Sequence, residues 1–586
     1  MKKSKLFLGA LSLLAFAACS DDKTNEPISS GETQDAFIKV NIMSATSGSR
    51  VGEVFEDGDE TAGENDIQNI TLIFYGASGN YLTHAELGSS DIKNADKTEA
   101  PNVELVKTVE ARVAISDGVF PSYMMAFVNP VKPGDLNWGL NSINEKTRES
   151  HLGANQKFAM NNSVYYDKNK VFCQAISVSK NNFYQTETEK TKADAATVYV
   201  ERIAAKVVLQ GKDGSETNIG TQEGTIGDKN LSFKVIGWGL NATARTTYLC
   251  KKLDTGYATI DGQVNNAFEW NDYDRHRSYW AFTPFYEKPT DANNVIGEGE
   301  DKIFKYPFVS DQVSTQNTLQ YLKFNTFTTA PGTSLYTLEN TVNSAFYNNN
   351  PYRNSALISA IVAGYYTVNG KREDFYIQGT DMYLKADYLR AMAKQGAVIV
   401  NADGTPLKDA DMTDEVLAKT FEIYHPKTPI FGDPNRGVEE NKVTIKFIDN
   451  AENRSNFKFK LGSNDAVEIT DDNIGEIQER LYSNCGLSSA YTEGYAYFNV
   501  PIRHLASAPT ENQAWKPGSF GVVRNHCYVI TVDKFAPLST ETLGKGVLDP
   551  DDPIVPPTDP SDEFGIKANI RVLAWRLVPQ SVTLGE

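Results

Sequence analysis

Ala36-Phe-Ile-Lys-Val-Asn-Ile42, near one end of the chain, and Ala568-Asn-Ile-Arg-Val-Leu-Ala574, near the other, are two copies of one pattern. In the first, Ala36, Ile38, Val40 and Ile42 alternate with Phe37, Lys39 and Asn41. In the second, Ile566, Ala568, Ile570, Val572 and Ala574 alternate with Lys567, Asn569 and Arg571. A period of two gathers the apolar residues on one face, as in a half-buried β-strand. The basic residue falls at the same place in both, Lys39 with Arg571. The second copy follows Asp549-Pro-Asp-Asp-Pro-Ile-Val-Pro-Pro-Thr-Asp-Pro560, whose prolines exclude helix and sheet interior. Residues 547–563 therefore read as a tether and 564–586 as a strand carried on it. Two interchangeable strands at opposite ends are two candidates for one groove.

The body between them is too long, in a chain of 586 residues, for one ordinary domain. Aromatic residues make up 11%, with 28 Tyr and 29 Phe, and this suits β-sheet broken by many turns. The net charge of −18 excludes a nucleic-acid partner, which needs a basic footprint. It also provides no polybasic patch for an anionic bilayer.

The first residues have the form of an export signal. Lys2, Lys3 and Lys5 precede an apolar run over 6–18, too short to span a bilayer as a stable helix. The run ends Phe16-Ala17-Ala18-Cys19, like a bacterial lipoprotein signal: residues 1–18 would be removed and Cys19 would carry the lipid. Ser20-Asp21-Asp22 resembles the acidic export signal of surface lipoproteins in Gram-negative anaerobes. Polar residues 20–34 form a flexible lead to the first strand. After that strand comes Ser44-Ala-Thr-Ser-Gly-Ser-Arg50, small and polar. An arginine in such a loop is an accessible protease target, so Arg50–Val51 is a candidate maturation bond and 19–50 a propeptide. Cys173, Cys250, Cys485 and Cys527 show no Cys-x-x-Cys spacing, and read as buried thiols or one disulfide.

Strands are expected over 67–75, 103–115, 123–128, 172–179 and 197–210. They are followed by 231–238, 321–327, 334–338, 443–448, 457–461, 495–500 and 528–532. Residues 356–368 read as one strand running into an Asn369-Gly370 hairpin turn. Residues 386–395 and 414–423 read as surface helices. Glycine-rich turns near 211–227 place a domain boundary there, giving an N-terminal domain of 51–222 and a C-terminal domain of 223–546. The fold class is mainly β: two antiparallel β-sandwiches with a few surface helices and a C-terminal donor strand.

Catalytic signatures are scarce. The 6 His have no metal-ligand spacing, and neither a Gly-x-Ser-x-Gly elbow nor a phosphate loop occurs. Asp272, Asp274 and His276 alternate beside Arg275 and Arg277, as on a solvated strand edge. Asp57 to Glu60 and Asp549 to Asp552 lack the spaced ligands of a calcium loop. Asp471 and Asp472 are expected to cap a helix. The reading is of a protein without enzyme activity, metal or cofactor.

Four segments carry a resemblance. They are Thr197-Val-Tyr-Val-Glu-Arg-Ile-Ala-Ala-Lys-Val207, Tyr248-Leu-Cys-Lys-Lys252, Tyr336-Thr-Leu-Glu-Asn-Thr341 and Gly521-Val-Val-Arg-Asn-His-Cys-Tyr528. With Val572-Leu-Ala-Trp575, the lipoprotein signal and Arg50, they resemble the minor (short) fimbrium subunit family, the fimbrillin-type shaft lipoproteins of Gram-negative anaerobes. Cys250 replaces a serine of that pattern, and 260–320 and 400–440 show no match. The resemblance implies transthyretin-like sandwiches and a mechanism. A lipid-anchored precursor in the outer membrane carries its N-terminal strand in its own groove. An Arg-specific protease cuts after Arg50 and removes Ala36, Ile38, Val40 and Ile42. The groove then takes the C-terminal strand of another copy, with Ile566, Ala568, Ile570, Val572, Ala574 and Trp575, and repetition builds a fibre. The implied partners are other copies, anchor and tip subunits, and host or bacterial surface ligands. The implied roles are adhesion and biofilm formation. The alternatives are an accessory tip or anchor subunit, or a surface glycan-binding lipoprotein using Tyr273, Tyr279, Trp280 and Phe285.

Overall fold

The structure is a computed structural model. With short interruptions it describes residues 33–45, 63–252, 319–341, 357–426, 441–504, 520–554 and 576–584, together with pieces at 281–284, 295–296 and 303–304. Among the described residues, no helix is long and apolar enough to cross a membrane.

The first strand, β1 (Thr33–Ala45), is one of ten in an N-terminal sheet. The other long members are β2 (Ile70–Tyr75), β3 (Tyr81–Leu87), β4 (Val103–Ser116), β5 (Tyr123–Val128), β6 (Met160–Asn162) and β7 (Ala196–Arg202). Their order is β3-β2-β5-β6-β7-β1-β4. The two ends of this sheet meet in one core, where Ile70, Leu72 and Phe74 of β2 pack with Val109, Ala111 and Val113 of β4. The alternate residues Ile73 and Tyr75 face a second core. Strand β2 is thus buried on both faces, which suits a sequence that is apolar apart from Thr71.

Residues 197–210, expected as one strand, are two. Strand β7 ends at Arg202, and β8 (Ala205–Gly211) joins another sheet. The change of sheet falls at Ile203–Ala204, upstream of the boundary read near 222, because β8 pairs with a strand more than 300 residues away rather than with its neighbours. The second sandwich contains β8, β9 (Lys229–Asn241), β10 (Leu335–Thr337), β11 (Ser359–Val368), β12 (Tyr495–Pro501), β13 (His526–Phe535) and β14 (Arg576–Leu584). One sheet runs β10-β8-β13-β14 and the other carries β9-β11-β12 at its centre. Ala205, Val207 and Leu209 face Val362, Phe498 and Ile530 in a shared core. Pairing is mostly antiparallel, but β1 with β7, β8 with β13 and β13 with β14 are parallel. Strand β11 turns at Asn369-Gly370, as expected. Both residues lie at positive φ, 49° and 82°, which asparagine and glycine tolerate.

A third unit, absent from the sequence reading, is inserted between β11 and β12. It has its own core, with Tyr388, Leu389, Val443, Ile445, Ile477 and Leu481. Helix α1 (Lys385–Gly396) matches expectation. Helix α2 (Asp414–Thr420) is shorter than expected, because Phe421–Tyr424 leaves it to pair with Lys442–Phe447. Asp471 and Asp472 do not cap α3 (Ile474–Cys485): Asp471 pairs with Arg454 at 2.6 Å, and the N-cap residue is Asn473. The unit meets the second sandwich closely at Gly546, where a Cβ would stand 2.1 Å from the Ala490 carbonyl oxygen.

The tether does not begin at 547. Val547 and Ile554 are buried against Tyr497, Phe324 and Phe327. Asn241 Nδ2 donates to the Ile554 carbonyl (2.9 Å) and Ile554 N to that of Leu322 (2.7 Å). Val547, just before the Asp/Pro run, and Ile554, within it, hold it to the body, and only 555–575 separate this contact from β14; they lie outside the described residues. Cys250, Cys485 and Cys527 are buried free thiols.

Candidate assembly site

Strand β1 lies between β7 and β4. It runs parallel to β7, with Val40 to Ser44 opposite Ala196 to Val200. It runs antiparallel to β4 over almost its full length, from Thr33 opposite Ser116 to Ala45 opposite Val103. Ala36, Ile38, Val40 and Ile42 are all 0% exposed. They face the core built by Val109, Ala111, Val113, Val198 and Val200. The opposite face is polar and lightly tied. Thr108 Oγ1 donates to Asn41 Oδ1 (3.0 Å), Arg112 pairs with Asp35 (2.5 Å) and Phe37 stacks on Tyr184 with ring centroids 6.0 Å apart. The Arg112 hydrogen bond holds the Asp35 carboxyl below its ordinary value.

Burying Ile38, Val40 and Ile42 contributes about 5–9 kcal/mol gross, and each ladder hydrogen bond about 1 kcal/mol net. Neither term depends on the identity of the strand beyond its period and side-chain size. A strand of matching period and side-chain size would meet the same two requirements.

Part of the C-terminal segment expected as a strand, 564–586, lies among the described residues. The described strand is β14, Arg576–Leu584, added parallel to β13 at the end of its sheet, from Arg576 opposite His526 to Leu584 opposite Phe535. Ile566, Ala568, Ile570, Val572, Ala574 and Trp575 lie outside the described residues. So do Cys19, Arg50, Val51, Tyr273, Tyr279, Trp280 and Phe285.

The four motif segments, scattered from residue 197 to 528, converge at the junction of the two sandwiches. Arg524 Nε donates to Glu339 Oε2 at 2.7 Å, and its other nitrogens to the carbonyls of Tyr248 (2.7 Å) and Leu249 (3.1 Å). Lys251 Nζ meets Glu201 Oε2 at 3.2 Å. Burial pushes the Glu201 carboxyl up, against the pull of Lys251 and Arg524. Arg202 donates to Asn525 Oδ1 (3.2 Å) and to the Glu64 carbonyl (3.2 Å), and Lys206 pairs with Glu64 at 3.0 Å. Asn525 sits at φ 59°, a conformation asparagine tolerates, and its N–H reaches the Ala204 carbonyl at 2.6 Å. Charges buried to this degree must be paired and hydrogen-bonded. Glu64 was missed by sequence reasoning because it lies in an acidic run that reads as solvated loop. The signal available was the pair of cations, Arg202 and Lys206, in strands otherwise apolar.

Residues 489–580, which include β12, β13 and the start of β14, match the family model for the C-terminal region of fimbrillin, the type IV major fimbrial subunit protein. This C-terminal region is of the fimbrillin type. Its fold is also similar to a fimbrial assembly protein from Parabacteroides distasonis ATCC 8503, at 12% identity over 57% of this chain and 82% of the other, with a TM-score of 0.27. A second similarity is to the tip fimbrial protein Mfa3 from Porphyromonas gingivalis with C-terminal truncation: 10% identity, 57% of this chain, 81% of the other, TM-score 0.24. At TM-scores this low neither carries weight beyond the likeness itself. No curated protein matches the sequence. A fimbrillin-type C-terminal region goes with a structural or adhesive role in fimbriae.

Proposed function

We propose that this fimbrillin-type chain is a shaft subunit of cell-surface fimbriae that polymerises by strand exchange and supports adhesion and biofilm formation. The precursor reaches the outer membrane as a lipoprotein anchored through Cys19, with β1 seated in its own groove. An Arg-specific protease cuts between Arg50 and Val51, and the segment carrying Ala36, Ile38, Val40 and Ile42 leaves. The C-terminal segment of a second copy, 564–586, takes its place, and the mature fimbrium is extracellular. Anchor and tip subunits of the same fimbriae would be further partners.

The observation that carries the reading is the seat of β1: four alternate side chains without exposure, in a strand joined to the body on both edges. Its removal leaves an unpaired apolar slot that exposes two strand edges to any neighbour. In support, among the described residues β14 is attached along one edge, at the end of its sheet.

The test is to treat purified precursor, residues 20–586, with an Arg-specific protease. Its products are then run on mildly denaturing gels and their N-termini sequenced. A new start at Val51 with heat-sensitive ladders is the expected outcome. Intact Arg50, or cleavage giving monomer alone in the presence of excess subunit, overturns the shaft reading. In the second case the subunit is an accessory tip or anchor component.

A further inference from the structure

We propose that the cavity at the seam of the two sandwiches binds the carboxylate-bearing end of a saccharide. The cavity has a volume of about 560 Å³ and is lined by Glu149, His151, Thr243, Arg245, Gln320 and Tyr336, among others. That volume lies within the range of small-molecule sites, and a seam between domains is a common place for one.

Arg245 selects the charge of the ligand. It is half-buried and makes no hydrogen bond or ion pair with any described residue. Arg524, elsewhere at this junction, is paired with Glu339. A guanidinium fork in the cavity lining, not paired there with Glu149, fits a bidentate carboxylate. Arg148, next to the lining residue Glu149, adds positive potential from behind. Its guanidinium donates only to the carbonyls of Ser150 and Leu152, and burial lowers it to about 10.

Ring geometry selects the body of the ligand. His151 lies on Phe158 at 5.6 Å and 26°, and 6.1 Å from Tyr336. Burial and Arg148 hold the imidazole below its usual range, so it meets a ligand as a neutral ring. The Tyr336 hydroxyl is bound to Glu64, which fixes the ring at the cavity wall. The His151 and Tyr336 rings, inclined at 33° to each other, give the cavity wall an aromatic surface for the C–H face of a pyranose. The side chains of Thr243, Gln320 and Glu149 stand around it with donors and acceptors for hydroxyl groups. Glu149, a carboxylate on the rim, accepts from hydroxyls and repels a dianion, which favours a sugar acid over a phosphorylated sugar.

This site is independent of strand exchange, and its test uses the unpolymerised chain. Titration calorimetry of the full chain with glucuronic acid, and separately with glucose, reads it directly. Saturable binding of the acid and weaker binding of glucose are expected. Arg245→Gln should weaken the acid by about tenfold or more, the loss of one charge-assisted pair. Gln320→Ala changes an exposed residue and should weaken both sugars without altering the melting temperature. Absence of saturable binding by the acid, equal affinity for glucose, or undiminished binding by Arg245→Gln would each overturn the proposal.

Discussion

Ile38 and Arg524 are equally hidden, both at 0% exposure, yet they hold the molecule by different means. Ile38 sits in the seat of β1 among apolar side chains that any strand of the same period would satisfy. Arg524 sits at the junction, where Glu339, Tyr248 and Leu249 accept from it in one geometry. Burial without direction permits exchange of the occupant; directed charge pairs do not. The junction is also where β7, one wall of the seat, meets β13, on which β14 lies. Arg202 closes β7, and Asn525 just precedes β13. The seat is thus built onto a junction held by directed charge pairs.

The largest test of this contrast is Glu339→Ala. It leaves Arg524 buried and unpaired, and should cost about 3–5 kcal/mol. Urea unfolding that shifts by less than 1 kcal/mol, roughly the value of an exposed pair, would show that the junction tolerates change after all. Ile38→Val removes one methylene from the seat and should cost about 0.5–1.5 kcal/mol. Loss of all folding in that variant would mean the seat is as particular as the junction.

A chemical probe separates the two regions without mutation. Burial pushes the Cys250 thiol, which belongs to the junction, up to about 12. It should resist iodoacetamide both before and after the precursor is cut at Arg50. Mass spectrometry showing alkylation only after cutting would mean that the junction loosens when the strand leaves. The smallest expected effect is at the rim of the seat. The Asp35 carboxyl is held below its ordinary value of 3.8 by Arg112, so their bond stabilises the seat above that pH and fades as the pH falls below it. Asp35→Asn should flatten that acid limb slightly in a pH series of melting temperatures and change nothing at neutral pH beyond a small, even offset.

Much of the seat was readable from residues alone, because a strand advertises its buried face every second position. Ala36, Ile38, Val40 and Ile42 were identified this way, and so was the Asn369-Gly370 turn. The inserted unit was not. Its helices and strands were visible piecemeal, but nothing local shows that residues between two neighbouring strands close a core of their own. The docking of Val547 and Ile554 was hidden by the prolines around them. Glu64 was hidden by its acidic neighbours, since a carboxylate destined for burial looks the same in sequence as one left in water.

The sequence by itself therefore determined a β-rich chain with an alternating strand over Ala36 to Ile42, since alternation and turn chemistry are local properties. Only the tertiary structure decided that four motif segments, from Thr197 to Tyr528, are parts of one buried network, with Glu64 as its hidden anion. The reason is physical. Apolar period is written along a strand, whereas the partner of a buried charge is chosen by whatever the fold brings within hydrogen-bonding distance.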